Sequence, residues 1–238
     1  MPSPKEIVDS LRDAIRTASM PTEERISMQL ESSDPAVRAL APQSLFEANG
    51  CAAIGRLKTL LEKDPSPVVR EAAFHQTAAI LALPQSELDQ QFVSRGEFAG
   101  LRALQQALLS ERDTGALIEM LIDTKKLAQD NPRAGEQLAH TLLSILHRDR
   151  HPGDSIPAPE LRNPLATAYA HYLLQALVPV VDRTLDTSLV LKIADAANLA
   201  MEKDGAVPGG RPGPNYDRGI RPLLLHLQTR KEDMGIRG

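Results

Sequence analysis

His140, His147 and His151 are the residues whose type and spacing come closest to chemistry. Seven residues on a helix return to nearly the same face, and His151 follows His147 by four, so three imidazoles with Glu136 have the outline of a metal site. Pro152-Gly153 unwinds the chain at His151, no cysteine is near, and Glu136 is the sole close carboxylate on that face; the pattern favours partly exposed histidines, and no metal is expected. Glu71 and His75, four residues apart, have acid/base spacing, but on an amphipathic helix such a pair is ordinary surface support. Cys51 stands beside Ala52, Ala53 and Ile54 at the start of an apolar helix and reads as a buried, inert thiol. Gly205 to Gly213 follows no predicted strand, so it is not a phosphate loop. No catalytic residue and no cofactor is assigned.

Composition narrows the classes further. Aromatic residues are 3% of 238 and tryptophan is absent, so the interior must be built from Ala, Leu, Ile and Val. That suits closely packed helices better than a sandwich of strands, and the expectation is an all-α chain. A net charge of −4 offers no general attraction to phosphate backbones, so nucleic acid is not the expected partner. One cysteine excludes an intrachain disulfide and fits a reducing compartment. With no long apolar run and no apolar leader after Met1, the expectation is a soluble, cytoplasmic protein without membrane contact.

The elements that would position any site follow from caps and periodicity. Ser3-Pro4-Lys5-Glu6 opens a first helix with Ile7, Leu11, Ala14, Ile15 and Ala18 inward, and Met20-Pro21-Thr22 leads into a second that runs to about Glu31. Asp34 caps a helix from Pro35 that stops at Asn49-Gly50; its partner carries Ala53, Ile54, Leu57, Leu60 and Leu61 and ends at Lys63-Asp64-Pro65. Ser66-Pro67 starts the next helix. Further starts fall near 97, after Ser94-Arg95-Gly96-Glu97, and at Asn131-Pro132 and Asn163-Pro164. Segments 88–93 and 116–128 are expected to be second helices of their pairs, the latter with Leu117, Met120, Leu121, Leu127 and Ala128 inward. A loop, His151 to Pro159, precedes helices over 164–181 and 186–203. Residues 204–216 read as a Gly/Pro linker and 217–238 as a short helix with a basic tail. Residues 1–149 are thus expected to form repeats, with 160–203 continuing them.

Asp34-Pro35-Ala36-Val37-Arg38 and Ser66-Pro67-Val68-Val69-Arg70 place a polar cap, a proline, a valine and an arginine in one register, with the arginines thirty-two positions apart and Arg102 thirty-two further on. This register resembles HEAT and HEAT-like repeats, including the type found in phycobilisome lyases, clearly over residues 22–83 and faintly to about 130. The resemblance implies an α-solenoid, or alpha-alpha superhelix, of helix pairs with an irregular C-terminal part. It also implies a structural ladder of Asp34, Arg38, Asp64, Arg70 and Arg102, with Asp64 in the turn before Arg70 as that arginine's partner.

Such arrays present a curved surface, and family members mostly bind other proteins on the face lined by second helices. The expected function is therefore a non-catalytic protein-binding scaffold or adaptor. Arg56, Thr59 and Lys63, opposite the apolar stripe of one second helix, and Glu119, Asp123 and Lys126, opposite that of another, are the expected partner-binding residues. An enzyme or cofactor chaperone resembling the phycobilin lyases is the alternative. A likeness to the HEAT-like alkylpurine DNA glycosylases is disfavoured, since only Tyr169, Tyr172 and Tyr216 supply large polar aromatics and the charge has the wrong sign.

Overall fold

The structure is a computed structural model that describes residues 22–84, 96–148, 164–203 and 220–236, with side chains at 146–148, 164–170 and 199–203 left aside. The expected first helix, segment 88–93, Ser94-Arg95, the loop 151–159 and the linker 204–216 lie outside the described residues. Among the described residues there is no strand. The helices are α1 (Thr22–Glu31), α2 (Pro35–Arg38), α3 (Ala41–Asn49), α4 (Ile54–Lys63), α5 (Pro67–Ala82), α6 (Glu97–Ser110), α7 (Thr114–Asp130), α8 (Pro132–Arg148), α9 (Pro164–Arg183), α10 (Thr187–Lys203) and α11 (Arg221–Asp233). None of them is long and apolar enough to cross a membrane.

Local chemistry accounts for most boundaries. Asp34, extended at ψ 117°, accepts the Ala36 amide at 2.8 Å, and Asp113 accepts that of Ala116 at 2.9 Å, so both cap donors that no helical carbonyl can reach. Asn131 does the same for Ala134 at 3.1 Å. Gly50, at φ 54°, closes α3 with its amide on the Phe46 carbonyl, a left-handed turn that a side chain would oppose. The sequence predicts one helix across 35–49. The chain breaks it at Ala39-Leu40, because Pro42 has no amide for the Arg38 carbonyl and its ring would collide there. A short 3-10 turn, Gly50–Ala53, then carries Cys51, which lies half-buried against the core rather than inside a helix.

Helices pack in two interleaved rows. One row runs α2 and α3, α5, α7, α9 and α11, each touching the next; the other runs α4, α6, α8 and α10. Contacts such as α4 on α5, α7 on α8 and α9 on α10 join the rows, and one apolar core extends from Ile26 to Leu227 between them. Its members are mostly Leu, Ala and Ile, with Phe74 as its one fully buried aromatic side chain among the described residues.

The predicted starts at 35, 67, 97, 132 and 164 all begin helices, but two of them serve the other row. Helices from 97 and 132 belong with α4, whereas 114–130 packs between α5 and α9 as a first-row helix, not a second one. The thirty-two-residue period therefore holds once, from 35 to 67, and the next first-row helices start at 114 and 164.

Close helix contacts predict opposite effects of one substitution type. A Cβ at Gly135 would sit 2.8 Å from Ala128 Cβ and 3.0 Å from its Cα, where α8 leaves α7, and main chain cannot yield as a side chain can. Gly135→Ala should lower stability by about 1–3 kcal/mol. Gly55, inside α4 with nothing within 4 Å of its added Cβ, should gain about 0.5–1 kcal/mol as Gly55→Ala. Urea unfolding of both variants checks the pair, and an unchanged midpoint for Gly135→Ala would mean that α7 and α8 are free to separate.

Candidate functional site

Two arginine forks set the first-row helices against each other. Arg38 donates through Nε and Nη2 to both Asp64 oxygens, at 3.0 and 3.1 Å, while Nη1 reaches the carbonyls of Ser32 and Ser33 at 2.9 and 3.1 Å. Arg70 repeats this with Glu111 at 2.8 and 2.7 Å and with the carbonyls of Asp64 and Pro65 at 2.9 and 3.0 Å. In both, the carbonyls lie six and five residues before the arginine and the carboxylate comes from a later turn. Asp64 is thus the partner of Arg38, and Arg70 takes only its main-chain oxygen, which corrects the expected Asp64–Arg70 pair. The physical reason is direction: a guanidinium on the first turn of α5 spans to the turn before α7, where Glu111 is held by the amides of Arg112 and Asp113, both at 2.9 Å.

Arg102 does not extend the ladder; it is exposed and lies over the Phe98 ring at 5.8 Å, on the other row. In α7 the equivalent position, four residues after the cap Asp113, is Leu117.

The opposite ends of these helices are tied by a second set of donors. Asn131 donates to the Leu81 carbonyl at 2.9 Å, Arg183 to Gln129 at 2.5 Å and Arg230 to Thr184 at 2.5 Å. Each carbonyl belongs to the last turn of α5, the last turn of α7 or the residue after α9, where helical partners run out and a cation also meets the negative end of the dipole.

Held in this way, α2, α3, α5 and α7 frame a groove of about 750 Å³. From the break after α2 comes Ala39 and from α3 come Pro42, Gln43, Phe46 and Glu47; from α5 come Glu71, Ala72, His75 and Gln76; from α7 come Glu119 and Asp123. His75 does not pair with Glu71. Its Nδ1 lies 3.0 and 3.1 Å from the two Asp123 oxygens across the groove. Burial pushes the Glu71 carboxyl above its ordinary value, and Glu119, Asp123 and Asp113 push it the same way against the opposing effect of His75. A smaller depression of about 210 Å³ continues between α5 and α7 past His75 to Lys126 and Asp130.

The expected partner-binding residues divide between the rows. Glu119, Asp123 and Lys126 border the groove and its extension. Arg56, Thr59 and Lys63 are exposed on α4, Arg56 3.6 Å from Glu23 and Thr59 bonded to the Gly55 carbonyl at 3.2 Å, and they do not join that surface. The expectation that both trios share one face depends on 116–128 being a second helix, and that segment packs in the first row. Of the histidines, His140 is exposed, while the side chain of His147 and all of His151 lie outside the described residues. Among the described residues no three His, Cys, Asp or Glu side chains converge to hold a metal ion. Nothing in the sequence marks Glu47, Glu71 or Phe46 as partner-binding: Glu71 reads only as the neighbour of His75, and nothing local shows that the three share a wall.

Comparison with protein-family models, curated proteins and solved structures gives no match.

Glu111 keeps 1% of its side chain exposed and Arg70 keeps 21%. Arg70→Ala would leave a carboxylate without its cation, at a cost of about 2–3 kcal/mol, less than for a fully dry pair because Arg70 still meets water. Arg102→Ala should change stability by less than about 0.5 kcal/mol. Burial raises the Asp64 and Glu111 carboxyls, but the guanidinium and amide hydrogen bonds outweigh it and hold both below the ordinary range. The unfolded chain then binds more protons as pH falls, so this stabilisation is present above about pH 4 and is lost as pH drops through the lowered folded values. In guanidinium titrations from pH 7 to 2, the stability difference between Arg70→Ala and the unsubstituted chain should therefore shrink as pH falls, because the variant lacks the contribution that acid removes.

Proposed function

We propose that the chain is a HEAT-like α-solenoid that acts as a protein-binding scaffold or adaptor. The observation that carries this reading is the groove across successive first-row helices, α2 with α3, then α5, then α7. Its lining is mixed: apolar at Ala39, Pro42, Phe46 and Ala72 and charged or amide-bearing elsewhere, whereas small-molecule pockets are mostly apolar with few polar groups. Near-neighbour packing of two helix rows and the repeated geometry of the Arg38 and Arg70 forks support the repeat architecture. In this reading the binding surface is the row of first helices, and α4 with Arg56, Thr59 and Lys63 lies on the opposite face.

A photo-crosslinking amino acid placed at Gln43 or Gln76, and for comparison at Thr59 or Gln106 on the other row, tests the assignment in the native cell. A discrete cross-linked protein at the first two positions and none at the others is expected. Cross-links confined to Thr59 and Gln106 would move the binding surface to the second row, and none at any position would remove the scaffold reading.

A further inference from the structure

The groove has a charge pattern as well as a shape. Glu47, Glu71, Glu119 and Asp123 line it, and among the described residues no lysine or arginine does. Of the four, Glu47 has a cation in reach, Arg25 of α1 at 3.8 Å, and also accepts from Gln43 at 2.9 Å; Asp123 has His75. Glu71 and Glu119, from α5 and α7, line the groove together with Ala72, Pro42 and Phe46, and the Glu119 charge acts on Glu71. Two uncompensated carboxylates beside an apolar bed are unfavourable in the empty groove and become favourable when a cation with an aliphatic stem covers both. Lysine and arginine side chains have that form, and a peptide segment supplies several of them at helical or extended spacing.

From this complementarity we infer that the groove's occupant is a basic, amphipathic segment of a partner protein, with lysine or arginine on Glu71 and Glu119 and an apolar residue on Phe46 and Pro42. The inference rests on the scaffold reading and adds the chemistry of the partner. The raised Glu71 carboxyl agrees with it, since a cation placed there would bring that group down again.

The test uses the full chain and a labelled lysine-leucine amphipathic peptide, with a glutamate-leucine peptide as control, in about 0.15 M salt where long-range attraction is screened. Glu47→Gln, Glu71→Gln and Glu119→Gln together are compared with Glu31→Gln, Glu62→Gln and Glu232→Gln, exposed carboxylates outside the groove that remove the same charge. Loss of the two cation contacts at Glu71 and Glu119, about 0.5 kcal/mol each, should weaken the lysine peptide about fivefold in the groove variant. The control variant should change by less than about twofold, and circular dichroism should show both folded. Equal weakening in the two variants, or no preference for lysine over glutamate, would overturn the inference. Cross-linking distinguishes it from the reading beneath it. A protein captured at Gln76 equally well by the groove variant keeps the scaffold and removes the basic occupant. Groove-dependent peptide binding with no cellular protein captured keeps the charge preference and removes the scaffold.

Discussion

Helix ends that meet inside a fold leave carbonyls that their own helix cannot satisfy, and the arrangement of this chain depends on where donors for them are found. At one edge of the first row, Arg38 and Arg70 each gather two turn carbonyls with a single nitrogen while the rest of the guanidinium forks onto a carboxylate. At the other edge Asn131, Arg183 and Arg230 serve the last carbonyls of successive helices. Burial of an apolar core of Leu and Ala is non-directional, so by itself it does not select one helix orientation. Directed donors remove that freedom, because a forked hydrogen bond is satisfied in one orientation only.

The forks also decide how charge is distributed over the surface. Asp64 and Glu111 are neutralised and nearly dry, with side chains 7% and 1% exposed, so they add no field to the neighbouring groove. Glu71 follows Arg70 directly in sequence yet lines the groove, where Glu119 and Asp123 push its carboxyl up. Adjacent residues on one helical turn thus serve different ends: Arg70 fixes the angle between α5 and α7, and Glu71 with the facing carboxylates makes the space between them acidic. Because the same two helices carry both features, disturbance of the joint would alter the spacing of the carboxylates as well as stability.

Much of the helical framework was legible in sequence. Capping residues followed by proline located the starts at 35, 67, 132 and 164, since cap chemistry and the fixed φ of proline are local. Row membership was not legible, because it depends on which faces are apolar across intervening segments, and the thirty-two-residue spacing to Arg102 coincided with a helix of the other row. Arg38 and Arg70 were recognisable from register, but their carboxylates come twenty-six and forty-one residues later, and that difference has no local signature. The groove was half visible: Glu119 and Asp123 stood opposite the apolar stripe of their helix, whereas Glu47 and Glu71 became their neighbours only through the packing of α3 and α5.

The uneven spacing of first-row helices bears on how the array holds together. Between 35 and 67 a four-residue helix, a proline break and a 3-10 turn compress one pair into a short segment; from 67 onward the first-row helices α5, α7 and α9 lengthen. The donors change along the row. Arg38 and Arg70, at the starts of α2 and α5, each span to the turn before the next long first-row helix. α7 carries Leu117 in that position, and α9 and α11 are joined to the preceding first-row helix at their far ends by Arg183 and Arg230. A longer helix has more apolar surface to fix its middle, so the remaining need is at its C-terminal end, where unpaired carbonyls and the dipole both call for a cation. The acidic-turn forks thus give way to carbonyl-capping arginines beyond α7, and the acidic groove lies at the forked end of the row, where each guanidinium already takes a buried carboxylate and leaves the groove carboxylates without it.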